Sequence, residues 1–248
     1  NLMWSLAPAL ENAGFKIQHV FSRDSKNAKR LAKTLYEASV KKSLDFSNSS
    51  SSIFIIAVAD DAIPEIVREI ILPLDAILVH TSGSMPLSSL GYAATPNIGV
   101  FYPLQSFTKG KLANFRDVPI LIESENAPTK QVLINVAKAI SKDVFPITSE
   151  ARKRIHLAAV FASNFSNHMI TEAKELMDDI GLDFDLLKPL IAETINKSLS
   201  IGPEEAQTGP AARGDTEILE QHSSMLELQQ DRQAIYQLLS QRILDKYS

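Results

Sequence analysis

SIFIIAVADD (52–61) contains an unbroken apolar run, Ile53 to Val58, between serines and a pair of aspartates. A strand with one face in water alternates apolar and polar residues, whereas an unbroken run is what a strand covered on both faces requires. The run therefore predicts a sheet with helices on both sides. Apolar stretches of strand length recur around it at 16–22, 76–81, 97–102, 118–123 and 143–147, with helical patterns at 24–37, 60–72 and 127–141. That alternation predicts an α/β domain with a mainly parallel sheet. After Thr148 the strand signals stop. Helical periodicity follows at 149–180, 184–199, 212–227 and 231–247, interrupted by the loop IGPEEAQTGP (201–210). The expected organisation is an α/β domain at 1–148 and an all-helical domain at 149–248.

Composition narrows the function classes. With 248 residues, 45% hydrophobic and 22% charged, the chain can build packed cores and does not match a disordered composition. A net charge of −4 and no basic cluster longer than Arg152 to Arg154 argue against a nucleic-acid partner. The absence of cysteine excludes disulfides, zinc–thiolate sites and thiol nucleophiles. No stretch reaches the roughly 18 apolar residues of a membrane span. The expectation is a cytoplasmic protein acting away from membranes, with the serine run 49–52 forming a surface loop.

NLMWSLAPALENAGF (1–15) has the pattern of an amphipathic helix with Gly14 at its C-terminal cap and Pro8 as a kink, followed by the strand at 16–22. In a doubly wound sheet a strand and a glycine-rich turn precede such a helix, whose N-terminus faces a pyrophosphate. A strand and a G-x-G turn are therefore expected ahead of Asn1, with Asn1 and Leu2 at a cofactor's phosphates. The next strand ends in VFSRD (20–24). A carboxylate at this place holds the ribose hydroxyls of NAD, while a small hydroxyl followed by arginine suits the 2′-phosphate of NADP. Ser22 and Arg23 thus point to NADP; the competing reading makes Ser22 or Asp24 the N-cap of the following helix. Val58, Ala59 and Asp60 after one buried strand, and Thr81, Ser82 and Gly83 after the next, are small enough to border a cofactor. Asp60 and Asp61 read more simply as helix caps, and His80 as a satisfied histidine at a strand end.

The segment RKRIHLAAVFASNFSNHM (152–169) carries a polar stripe. At about 100° per residue, Ser163, Asn164, Asn167 and Thr171 fall within about 80° of His156, while Leu157, Phe161 and Phe165 take other directions. The pattern predicts a helix buried nearly all round whose polar stripe needs partners. His156 is the candidate acid for hydride transfer to a carbonyl or imine, with Asn164 and Asn167 holding the substrate. Arg213 and Asp215, in QTGPAARGD (207–215), are candidates for gripping a substrate carboxylate or phosphate.

NLMWSLA (1–7), VFSR (20–23), HTSGS (80–84), GVFYPLQSF (99–107), HLAAVFASNFSNH (156–168) and TGPAARGD (208–215) together resemble one family. It is the uncharacterised NADP oxidoreductases with a Rossmann-like N-terminal domain and a C-terminal helical domain of unknown function, the DUF2520 type. These stretches span essentially the whole chain in order. More distantly, the family is similar to pyrroline-carboxylate reductase, ketopantoate reductase and the β-hydroxyacid dehydrogenases. The resemblance implies NADP at the sheet edge, a small-molecule substrate in a cleft between the domains, and a homodimer through the helical domains. It also implies that the segment around Gln105 and Phe107 lines that cleft opposite His156. The lysine of β-hydroxyacid dehydrogenases is not cleanly matched by Lys153. The leading expectation is an NADPH-dependent oxidoreductase acting on a small carbonyl or imine; the alternative is a non-catalytic NADP-binding sensor or partner protein. A metal-dependent hydrolase is disfavoured, because no pair of histidines has a ligand spacing.

Overall fold

Ile53 to Ile56 form the strand that the apolar run predicts, with Ala57 and Val58 beyond its end, in a computed structural model that describes residues 1–247. The strands run in chain order β1 (His19–Val20), β2 (Ser39–Val40), β3 (Ile53–Ile56), β4 (Ile77–His80), β5 (Ile98–Pro103), β6 (Ile120–Glu123) and β7 (Val144–Pro146). Five of them make one sheet in the order β3-β4-β5-β6-β7, parallel throughout except for the antiparallel pair β5 and β6. Side chains alternate between two apolar layers. Ile77 and Val79 pack into one core with Leu6, Leu10, Ile120 and Ile122, while Leu78 packs into the other with Phe54, Ile63, Val67 and Leu90. Both faces of the sheet are covered, as an unbroken apolar strand demands.

The helices of this unit are α1 (Met3–Asn12), α2 (Ser25–Ala32), α3 (Ile63–Glu69), α4 (Ala127–Ile140) and α5 (Ser149–Ala159). Helix α1 ends as its sequence predicts. Gly14 takes φ +91°, its N–H donates to Glu11, and the N–H of Phe15 donates to Leu10. A left-handed residue at this place closes a helix through such a pair of bonds, and glycine adopts it at least cost. Pro8 sits inside α1.

Strands β1 and β2 pair in parallel as a separate two-stranded sheet. Between the two sheets lies a cavity of about 680 Å³, lined by residues 16–23 on one side and 50–58 on the other. Met3, Ala7 and Leu10 of α1, Leu31 of α2, Ile66 and Ile70 near α3 and Val136 of α4 complete its walls. β2, at Ser39–Val40, carries no apolar run, and the sequence gives no expectation of it.

Two compact units emerge, Asn1–Asn164 and Phe165–Ser248. The division falls at 164/165, whereas sequence periodicity places it at 148/149, because α5 is tied to the sheet by side-chain bonds described below. The second unit contains α6 (Ser166–Asp179), α7 (Lys188–Ile201), α8 (Pro203–Ala206), α9 (Thr216–Met225) and α10 (Gln230–Tyr247). Arg232 of α10 pairs with Glu172 at 2.6 Å and Glu175 at 2.5 Å, fastening α10 to α6. The architecture is the expected α/β unit followed by an all-helical one. No helix among the described residues is long and apolar enough to cross a membrane.

Candidate active site

The carboxyl end of β4 is held rigidly from several directions. His80 is fully buried; its Nδ1 accepts from the Ser82 amide at 3.1 Å and its Nε2 bonds the Pro86 carbonyl at 3.3 Å. Burial, reinforced by the nearby Arg152 cation, holds the His80 pKa down to about 4, so the ring is neutral and satisfied. Ser82 Oγ accepts from the amides of Ser84 and Met85, and Ser84 Oγ donates to Asp60. Asp60 therefore does not cap a helix as the sequence implies. Neither Asp60 nor Asp61 makes a cap bond; they open a short 3₁₀ turn with Ala59 at its N-cap.

Arg152, near the start of α5, is fully buried. Its Nη1 donates to the carbonyls of Ser82 at 2.8 Å and Gly83 at 3.1 Å, and its Nη2 pairs with Glu123 at 2.9 Å. Ser149 donates to the other Glu123 oxygen at 2.6 Å. A buried guanidinium is tolerated only with such partners. The ion pair joins the end of β6, the first turns of α5 and the segment after β4.

One turn further along α5, His156 Nδ1 meets Tyr102 Oη of β5 at 3.0 Å, the rings lying edge to face. Gly83 packs directly on this pair. A Cβ at Gly83 would lie 2.6 Å from His156 Nδ1 and 2.8 Å from Tyr102 Cζ, so no side chain fits there without displacing them. Burial raises the Tyr102 pKa above the ordinary phenol value, outweighing the opposing pull of Arg152. Sequence reasoning names His156 and Gly83 separately, and the fold brings them into contact at the end of a parallel sheet.

At the other end of the ensemble, Asn1, Ser22, Arg23, Val58 and Lys109 line the cavity between the sheets. Asp24 is the N-cap of α2, accepting from the Lys26 amide at 2.9 Å and from Asn27 at 3.0 Å. The competing reading of VFSRD thus holds for Asp24, while Ser22 is not the cap. Arg23 has no carboxylate partner among the described residues, and Lys109 reaches Asn27 at 3.2 Å. A serine, an unpaired arginine and a carboxylate already engaged as a cap fit a phosphate-bearing ribose better than a bare one.

Other expected site residues lie elsewhere. Leu2 packs against the hydrophobic core, and Thr81 Oγ1 donates to the Ile56 carbonyl. Gln105 is exposed and accepts from its neighbour Ser106, while Phe107 stacks on Phe115; within that segment it is Tyr102 that reaches His156. The polar stripe does not hold its register. Residues Val160–Phe165 wind as a π-helix, whose wider turns break the spacing of about 100° per residue that aligns His156 with Asn164 and Asn167. Nor is this helix buried all round: Leu157 is 57% exposed and Phe161 62%. Asn167, Arg213 and Asp215 belong to the second unit, where Asp215 caps α9. No three His, Asp or Glu side chains among the described residues gather as a metal site.

Tyr102, Arg152 and Glu123 escape the sequence reading. Arg152 looks like part of a solvated basic cluster, and Tyr102 like an ordinary strand residue.

The model of the domain of unknown function DUF2520 matches residues 118–243. Among solved structures, the chain is similar to "putative NADP oxidoreductase BF3122" from Bacteroides fragilis, with 38% identity, a TM-score of 0.90, and coverage of 99% of this chain and 95% of that one. Protein TM1727 from Thermotoga maritima shares 23% identity at a TM-score of 0.74, over 98% of this chain and 96% of its own. An imine reductase from Myxococcus stipitatus, solved with NADP+, shares the fold at 13% identity and a TM-score of 0.66, over 97% and 90%. No curated protein matches the chain.

Proposed function

The chain belongs to the family defined by the domain of unknown function DUF2520, and from that premise we propose that it is an NADPH-dependent oxidoreductase delivering hydride to a small carbonyl or imine compound. The observation that carries this reading is the hydrogen-bonded pair of His156 and Tyr102 seated on Gly83, beside the carboxyl end of β4. Open α/β sheets take their ligands outside the carboxyl ends of the strands, and a titratable side chain placed there is positioned for proton transfer.

In this reading Ser22 and Arg23 hold the 2′-phosphate and Asn1 faces the cofactor's phosphates. Val58, Ala59 and the segment Thr81 to Gly83 border the nicotinamide. The cofactor, when bound, supplies the hydride. His156 protonates the oxygen or nitrogen on which charge develops, and Arg152 keeps the Ser82–Gly83 backbone from shifting as the ligand enters. Every residue in this chemistry belongs to the first unit.

We further infer a homodimer formed through the helical unit. Leu190, Ile195 and Leu199 of α7 are 63%, 48% and 82% exposed, and among the described hydrophobic residues of that unit only Ala211 and Leu226 are buried. A helical unit with so little core of its own gains stability by burying these faces on another copy. Light scattering at micromolar concentration tests this, with a monomer as the outcome against it.

A screen of small carbonyl and imine compounds that follows nicotinamide absorbance tests the activity. The expected result is an NADPH-dependent substrate whose turnover falls about 10²- to 10⁴-fold in His156→Ala. Saturable NADPH binding without turnover across both panels would assign the chain to nucleotide sensing instead.

A further inference from the structure

His156 and Tyr102 make one hydrogen bond to each other, and the direction of that bond decides what the site offers a ligand. Among the described residues Tyr102 Oη has no other hydrogen-bond partner, and neither has either ring nitrogen of His156. With Nδ1 as donor the Tyr102 hydroxyl hydrogen is left over, and with Tyr102 as donor the Nε2 hydrogen is, so the count of donors is the same either way. What separates the two is strength: a phenol O–H is a better donor than an imidazole N–H, and an imidazole nitrogen a better acceptor than a phenol oxygen, so Tyr102 donates and Nδ1 accepts. The hydroxyl keeps its proton at neutral pH, since burial raises its pKa. The charged neighbours of Tyr102 are Arg152, which has no lone pair to accept with, and Asp60, which is engaged by Ser84. Gly83 packs closely against both rings, leaving no room for a side chain between the backbone and the pair.

We propose that Tyr102 fixes His156 in a single neutral tautomer, with Nδ1 as the acceptor and the proton on Nε2, so that the site presents one imidazole N–H donor to its ligand. This rests on the reading of His156 as the site's acid and sharpens the substrate class. The reacting group must bring a lone pair to Nε2–H, which a ketone, an aldehyde or a neutral imine does and a protonated iminium does not. In the reduction, hydride from the reduced nicotinamide forms the new C–H bond while the C=O or C=N π pair moves to the heteroatom. That heteroatom takes the Nε2 proton. Nδ1 takes the Tyr102 proton in turn, so the imidazole stays neutral and the charge comes to rest on the phenolate. Neutral histidine serves as electrophile and acid elsewhere when its environment disfavours the imidazolium. Tyr102 acts through His156 and is a positioning residue.

The test uses the 248-residue chain uniformly labelled with ¹⁵N, without ligand, and reads the imidazole nitrogen shifts and their two-bond couplings. His156→Gln assigns the His156 signals, and the His80 ring serves as an internal check of folding. The expected spectrum shows Nδ1 unprotonated and Nε2 protonated, with this single tautomer replaced by an averaged pair of signals in Tyr102→Phe while His80 stays unchanged. A proton on Nδ1 in the unsubstituted chain, or an unaltered tautomer in Tyr102→Phe, would overturn the proposal. A fixed Nε2–H tautomer in a chain that reduces no carbonyl or imine supports it and overturns the reductase reading instead.

Discussion

Arg152 and His156 stand one turn apart on α5 and both meet Gly83: the guanidinium takes the carbonyls of Ser82 and Gly83 at 2.8 and 3.1 Å, and the imidazole packs on Gly83. The catalytic candidate and the anchor of the segment it touches are thus carried by one helix. Because Arg152 is fully buried, the anchor depends on Glu123. Removing one partner of a buried ion pair costs about 3–5 kcal/mol, whereas replacing both by apolar groups of similar volume costs little. Glu123→Gln is expected to lower urea stability by about that amount, and Glu123→Leu with Arg152→Met to recover most of it. Equal losses in the single and double variants would show that the pair contributes nothing beyond packing.

His80 makes stability depend on pH. Its folded pKa, about 4, lies below the ordinary histidine value of 6.5. The unfolded chain therefore binds a proton at higher pH than the folded one, so stability is complete above pH 6.5 and is lost as pH falls towards 4. The loss approaches about 3 kcal/mol, from about 1.4 kcal/mol for each pH unit of difference. Denaturation midpoints measured from pH 7 to pH 4 are expected to fall along this course, and His80→Gln to flatten it.

Gly83 is the position where a single methyl group separates the site from the fold. In Gly83→Ala the new carbon would meet His156 and Tyr102 at under 3 Å, so the hydrogen-bonded pair must move. Overpacking of this kind costs about 1–3 kcal/mol. The expected outcome is a folded protein with a modestly lower melting temperature, an unchanged His80 ring spectrum and a displaced His156 signal. A His156 signal identical to that of the unsubstituted chain would contradict this packing.

Arg23 has no carboxylate partner, and Asp24 is committed to the α2 cap. A charge-assisted bond to a 2′-phosphate contributes about 1.5–3 kcal/mol. Arg23→Ala is expected to weaken NADPH binding roughly 10- to 100-fold while leaving NADH binding as it was, measured by calorimetry. Equal weakening for both nucleotides would detach Arg23 from the 2′-phosphate.

Most of the strands and helices were legible in the sequence because they follow from periodicity; β2, at Ser39–Val40, has no apolar run and was not. Ile53 to Ile56, the strand ending at His80 and the cap at Gly14 each depend on local pattern and sit where that pattern places them. The site was half legible. His156 stands out as a titratable group on an otherwise apolar helix and Gly83 as a small residue at a strand end, yet Tyr102 and Arg152 gain meaning only from contacts 54 and 70 residues away in the chain. The stripe from His156 to Asn167 misleads for a different reason. A uniform angular period cannot register the π-helical turns at Val160–Phe165, where each turn takes in more residues.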